Sequence, residues 1–187
     1  MHESPAVYLP QAEIKTEDAM DFIIEKARAA DAEAILAFTR TCGAETDNLS
    51  FGAEGIPVST EEEASFLASM ENSETGIFLV ARDGTEIIGT ASYSAFTRKR
   101  MSHRGELGIS VKRAYWNRGV GTALLRDLLD FAKNVAKSEI VSLSVRCDNA
   151  QAIRLYEKFG FEKIGSFRGY LKIDGALVDC DMMELFL

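Results

Sequence analysis

Residues 106–133 change hydrophobic period within one continuous stretch, and this constrains the fold more than any other feature of the chain. Leu107, Ile109 and Val111 alternate with Glu106, Gly108 and Ser110, which is the two-residue period of a strand with one buried face. From Val120 the period becomes helical, with Leu124, Leu128, Phe131 and Val135 following at steps of three and four. Between the two lies Asn117-Arg118-Gly119-Val120-Gly121-Thr122, a turn that opens the helix. Its glycines let backbone approach a ligand closely, and the first helical turn offers unpaired N–H groups and a partial positive charge. Such a turn binds anions, most often phosphate. The same two glycines would also serve a tight strand-to-helix joint.

Two phosphate-binding classes do not fit. A Walker A loop needs Lys-Ser/Thr after its second glycine, and Gly121 is followed by Thr122 and Ala123. A dinucleotide fingerprint needs a third glycine, and Leu124 stands where it would fall.

Downstream, residues 141–165 supply a strand ending near Arg146 and a helix capped by Asp148 or Asn149. Ala152, Ile153 and Tyr156 fall on one face of that helix; Gly160 stops it and Phe161 begins another strand. With the strand, R-G-x-G turn and helix upstream, followed by N-x-x-A-x-x-L-Y-E-K-x-G-F, the chain resembles the GNAT superfamily of N-acetyltransferases. The two motifs cover the last half of the chain, and the coarse element order extends the resemblance back to about Phe22.

The resemblance implies an α/β (α+β) fold: a mixed, mostly antiparallel central sheet with a splayed parallel strand pair, flanked by helices. It implies acetyl-CoA as co-substrate and no metal. The pyrophosphate would lie on the amides of Asn117, Arg118, Gly119, Val120, Gly121 and Thr122. The pantetheine arm would pair with the backbone at Ile109 and Val111. Tyr156 matches the general acid that donates to the CoA sulfur, and a phenol is a donor at neutral pH. Asn149, two turns earlier on the same helix face, would contact the cofactor or simply cap the helix. The family often has Gln or Arg at position 116; this chain has Trp116, which puts a side-chain contact there in doubt. For the base, strand alternation points Glu106 away from Leu107 and Ile109, where it could take the ammonium proton through water or be an exposed strand-end glutamate. Asp179 and Asp181 are weaker acceptor-side candidates.

Taken in order, residues 1–21 read as a loose arm with short extended pieces near Val7 and Ile14, followed by one domain over residues 22–187. A strand is expected over residues 22–27 and a helix from Asp31 to about Thr39. Residues 41–59 form a long loop, either a mobile surface segment or a functional lid. Thr60 with Glu63 reads as a capping box for a helix to about Met70. Strands follow over 77–81 and 86–96, joined at Asp83-Gly84, and a closing hairpin over 161–173 and 176–185 turns at Asp174-Gly175. The basic segment 98–104 reads as a loop at the far end of its strand from the glycine turn, either solvated or an acceptor or subunit contact. Its His103 and the arm's His2 are the only histidines, too few for a histidine triad or metal cluster.

At 187 residues the chain can bury a full core. Cys42, Cys147 and Cys180 form neither a C-x-x-C pair nor an even set, so no zinc site or disulfide framework is expected. The N-terminal residues are acidic and carry prolines where a signal peptide would be basic and then apolar, so a reducing cytoplasmic setting is expected. The net charge of −8 argues against nucleic acid or an anionic membrane as partner. The expected acceptor is a small-molecule or amino-acid-like amine. A protein N-terminal or lysine acetyltransferase, or a non-catalytic acyl-CoA sensor, is the alternative. A homodimer is left open.

Overall fold

The computed structural model describes residues 21–187. The expected N-terminal arm through residue 20, with Val7 and Ile14, lies outside the described residues. The elements are β1 (Ile23–Lys26), α1 (Ala32–Glu45), α2 (Thr60–Glu71), β2 (Gly76–Asp83), β3 (Glu86–Ala95), β4 (Arg104–Val111), α3 (Val120–Asn134), β5 (Ile140–Arg146), α4 (Ala150–Lys158), β6 (Glu162–Ile173) and β7 (Ala176–Phe186). The seven strands form one sheet in the order β1-β2-β3-β4-β5-β7-β6. All neighbours are antiparallel except β4 and β5. The expected mixed, mostly antiparallel sheet flanked by helices is therefore what the chain forms.

Strand alternation divides the core between the two faces. Ile77, Leu79 and Ala81 of β2 join the Val120, Leu124, Leu128 and Phe131 stripe of α3. Phe78 and Val80 face the other way and pack with Ile35, Phe38 and Leu67 of α1 and α2. Helices α1 and α2 lie over β1–β3. On that face β4, β5 and β7 stay open, and the cleft forms there.

Three expectations are corrected. First, α1 runs six residues beyond Thr39, to Glu45, so the connection begins at residue 46. Cys42 and Gly43 are buried on the added turn, and a Cβ on Gly43 would overlap the Gly52 carbonyl. Packing of the loop against the helix outweighs the weak local propensity of Thr41 and Gly43. Second, the capping box is one residue earlier. The Ser59 hydroxyl accepts from the Glu62 N–H, and the Glu62 carboxylate accepts from the Ser59 N–H. Thr60 is already helical, and Glu63 turns inward and is buried. Third, Arg104 belongs to β4 and not to the basic loop. Of the two expected caps of α4, Asn149 is the one used, because the Asp148 carboxylate is bound by Arg146.

The closing hairpin turns at Asp174 (φ 48°) and Gly175 (φ 83°), two left-handed residues in succession as a type I′ turn requires. Farther along it, β6 carries extra residues between Phe167 and Leu171. Gly169 (φ 62°) makes that bulge, and its N–H donates to Asp179 Oδ1 at 2.7 Å.

Candidate active site

Strands β4 and β5 pair at only three positions, Arg104 with Ile140, Gly105 with Val141 and Glu106 with Ser142. Beyond Glu106 the two strands part, as expected. The ladder's parity decides what this exposes. The Arg104 carbonyl accepts from Phe96 and the Lys112 N–H donates to Ile88, so even-numbered residues of β4 bond to β3. Ile109 and Val111 therefore turn their backbone groups into the gap. At Val111 the carbonyl is already engaged by the Trp116 indole N–H at 2.8 Å. Trp116, in place of a polar residue, tacks the glycine turn onto the end of the strand and leaves only the Val111 N–H for a ligand.

At one end of the gap stands the helix opening. Gly119 (φ 85°) is the cap of α3, and a Cβ added there would meet nothing within 4 Å. The first intrahelical bond runs from the Ala123 N–H to the Gly119 carbonyl, so the N–H groups of Val120, Gly121 and Thr122 are the orphans of the first turn. The Asn117 side chain accepts from Gln151 of α4 at 3.1 Å, fixing the turn against the second helix. Arg118 stacks over Tyr115, with 5.9 Å to the ring centre. The Val120 side chain is buried in the core, so only its backbone can serve a ligand. An open left-handed glycine, three free amides and a strand gap fit a diphosphate with a narrow extended tail.

A cleft of about 1000 Å³ runs from this turn through the gap to the uncovered sheet face. Asn117, Gly119, Gly121, Thr122, Ile109 and Val111 line it, as do Asn149, Tyr156 and Glu106. Of the expected cofactor and catalytic residues, Arg118 and Val120 do not. Tyr156, on α4, is 8% exposed and packs edge-on against Phe161 at 5.7 Å. Burial pushes its phenol up to about 12, which keeps it protonated throughout the neutral range. Glu106, on the other face of the sheet, is exposed and makes no ion pair or hydrogen bond among the described residues. Asn149 is a helix cap: its side-chain oxygen accepts from the Ala152 N–H at 3.2 Å.

Asp179 and Asp181 do not reach the cleft. Asp179 holds the Gly169 bulge, and Asp181 binds Ser166 and Lys163, both at 2.8 Å. Among the described residues no three His, Cys, Asp or Glu side chains gather as metal ligands, and no helix is long and apolar enough to cross a membrane.

Two arginines line the acceptor face that single-residue reading did not select. Arg146 grips both oxygens of Asp148 (2.9 and 2.6 Å) and the Asp47 carbonyl (3.0 Å). Arg104 pairs with Glu184 of β7 across β5. Extending the alternation back from Glu106 to Arg104 would have found the second. Glu45 accepts from the Arg113 N–H at 2.7 Å, so contacts just beyond the end of β4 and at the end of β5 hold the start of the 46–59 connection beside the cleft. Leu49, Phe51 and Ile56 of that connection form part of the wall.

The model of the acetyltransferase (GNAT) family matches residues 43–161, which include the whole glycine turn, the gap and α4. The chain belongs to the GNAT family. Over 105 residues, 56% of this chain, it is 35% identical to the L-amino acid N-acetyltransferase AaaT of Escherichia coli. Over 110 residues, 59% of the chain, it is 39% identical to the N-alpha-acetyltransferase RimI of Mycobacterium tuberculosis. Each match spans 65% of the relative's own length. A GNAT-family acetyltransferase from Streptococcus pneumoniae superposes with a TM-score of 0.85 at 32% identity, over 89% of this chain and 100% of that one.

Proposed function

We propose that this GNAT-family protein is an N-acetyltransferase that moves an acetyl group from acetyl-CoA to the primary amine of a small, amino-acid-like acceptor. One observation carries the reading. The cleft joins an anion-binding helix opening, a strand gap, a buried phenol and an exposed carboxylate in the order that acyl transfer uses them. Bound acetyl-CoA would supply an activated acetyl thioester, whose carbon–sulfur bond breaks as the carbon–nitrogen bond forms.

The chain's own groups supply the rest. The amides of the α3 opening hold the diphosphate. The Ile109 backbone and the Val111 N–H orient the extended arm. Glu106 takes the proton that the acceptor ammonium must lose, directly or through one water. Tyr156 holds a proton on the opposite face of the gap and delivers it to the departing sulfur. Its high pKa suits a donor that is refilled from solvent between turnovers.

The 46–59 connection favours a small acceptor over a protein. Its apolar residues wall the cleft, and the Arg146–Asp47 and Arg113–Glu45 contacts keep it in place. An acceptor on a folded protein surface would need that wall withdrawn. The test is thiol release with a panel of amines, beside calorimetry of CoA binding. Thiol release with amino acids or small amines supports the reading. Release only with peptides moves the acceptor to protein N-termini or lysines. CoA binding without release on any amine leaves an acyl-CoA sensor.

A further inference from the structure

The two arginines of the acceptor face differ in what they have left to give. Arg146 spends Nε and Nη2 on the two oxygens of Asp148 and Nη1 on the Asp47 carbonyl. Its donors are engaged on all three nitrogens. Arg104 has one recorded partner among the described residues, Glu184, which binds Nη2. Its Nε is sealed from solvent with no hydrogen-bond partner, and 28% of its side chain remains open. A guanidinium pinned on one nitrogen loses little further freedom on binding, and Arg104 lines the cleft with Nη1 as the nitrogen left to meet a carboxylate.

Its neighbour completes the pattern. Glu106 lies two residues along the same strand and on the same face, about 6.6 Å away along the backbone. It has no partner of its own among the described residues. The hydroxyl of Ser142, facing them from β5, donates to the Gly105 carbonyl at 3.2 Å, and Glu184 is turned to Arg104. What remains for a ligand at this end of the cleft is one guanidinium nitrogen, Nη1 of Arg104, beside the carboxylate of Glu106. They sit where β4 and β5 begin to part.

We infer that the acceptor is an α-amino acid with a free carboxylate, bound by its carboxylate at Arg104 and by its ammonium at Glu106. This rests on the acyl-transfer reading above. A zwitterion satisfies both groups at once. A peptide N-terminus, whose neighbouring carbonyl is an amide, offers no carboxylate and satisfies only Glu106 fully. Arg104 is thus a specificity-determining residue, and Glu184 positions it.

The experiment uses the full chain with acetyl-CoA and matched acceptors: L-amino acids, their α-carboxamides and the corresponding decarboxylated amines. Thiol release gives kcat and KM, and calorimetry of amino-acid binding to the CoA-saturated protein gives a readout that needs no turnover. Wild type should prefer free acids to carboxamides by about 10-fold or more, the scale of one charge-assisted hydrogen bond. Arg104→Gln should lower kcat/KM for the acids by about 10- to 100-fold, chiefly through KM, with carboxamides changed by less than about 3-fold. CoA affinity should not move. Because Arg104→Gln strands the Glu184 carboxylate, Arg104→Gln/Glu184→Gln is measured beside it and should show the same loss of discrimination. Preference for carboxamides or amines by wild type overturns the inference and leaves acyl transfer standing. An equal loss on acids and carboxamides in both variants does the same. If wild type neither binds CoA nor acetylates any amine, both readings fall.

Discussion

Glu106 and Ser142 are the last residues to pair between β4 and β5, and the cleft passes through the sheet immediately beyond them. A parallel pair that ends after three residues leaves backbone polar groups that a compact domain would normally satisfy with a neighbouring strand. Here they line a ligand path. The break also sets the chemistry's geometry, since Glu106 stands on one side of the sheet and Tyr156 approaches from the other. A proton can leave the acceptor on one face while another reaches the leaving group on the opposite face.

The α3 opening gives the first prediction. Gly119 combines a φ of 85° with empty space where a side chain would stand, so a substituent there would enter open space rather than the core. Gly119→Asn, whose side chain tolerates left-handed backbone, should keep the fold and most of the CoA affinity. Gly119→Glu should raise the CoA Kd at least about 10-fold by placing a carboxylate against the diphosphate. Calorimetry on both folded variants decides; equal affinity for the two would remove the turn from the binding site.

Tyr156 gives the second. Tyr156→Phe keeps the edge-on contact with Phe161 and removes only a hydroxyl, so stability should change little. If the phenol protonates the leaving sulfur, kcat should fall by roughly 10²–10⁴-fold. CoA affinity should stay the same. An unchanged kcat when chemistry limits turnover would leave Tyr156 as a packing residue.

The third concerns Glu106. Glu106→Gln keeps the shape and removes the proposed base. The loss in kcat/KM should be largest at the acid end, where nearly all acceptor is ammonium. It should shrink as pH rises towards the amine's own pKa, because neutral acceptor becomes available without help. Parallel pH profiles would assign positioning instead, and coincident ones would take Glu106 out of the site.

Much of this arrangement was legible in the sequence because it rests on local periods. The switch from alternation at Leu107–Val111 to the Val120 stripe pointed to a strand, a turn and a helix, and the turn's two glycines marked the candidate anion site. What could not be read depends on contacts between distant residues. Thr41 and Gly43 look like helix breakers until Gly52 is seen packed on the helix they extend. Arg104 reads as one of a run of loop cations until Glu184, 80 residues away, holds it in β4. Trp116 gives no hint in sequence that its indole takes the Val111 carbonyl, part of the backbone with which the pantetheine arm was expected to pair.

Glu63 gives a prediction about stability and pH. Burial alone lifts its carboxyl above the ordinary value, so the folded state holds the proton more tightly than the unfolded chain. The stability this contributes is complete below the unfolded pKa of about 4.3 and is lost as pH rises through the higher folded value. Above that folded value the helix carries a buried charge. Glu63→Gln should unfold at a higher temperature than wild type at pH 7, and the gap should narrow towards pH 4. A variant less stable than wild type at pH 7 would mean that the carboxylate has a stabilising partner.

Gly43 tests whether the 46–59 connection shapes acceptor binding. In an exposed helix, alanine is better than glycine by about 1 kcal/mol. At Gly43 that gain meets a collision, because the new Cβ would overlap the Gly52 carbonyl, a backbone atom that cannot rotate aside. Overpacking of this kind costs about 1–3 kcal/mol, so the net effect of Gly43→Ala should be a modest loss of stability. The strain is relieved by moving residue 52 away from α1, and that displaces Phe51 and Ile56 on the acceptor wall. The α3 opening is on another part of the chain. Thermal unfolding should show a lower Tm, and kinetics should show a raised KM for the acceptor with CoA affinity unaltered. A variant more stable than wild type, with the acceptor KM unchanged, would show that the connection yields freely and takes no part in binding.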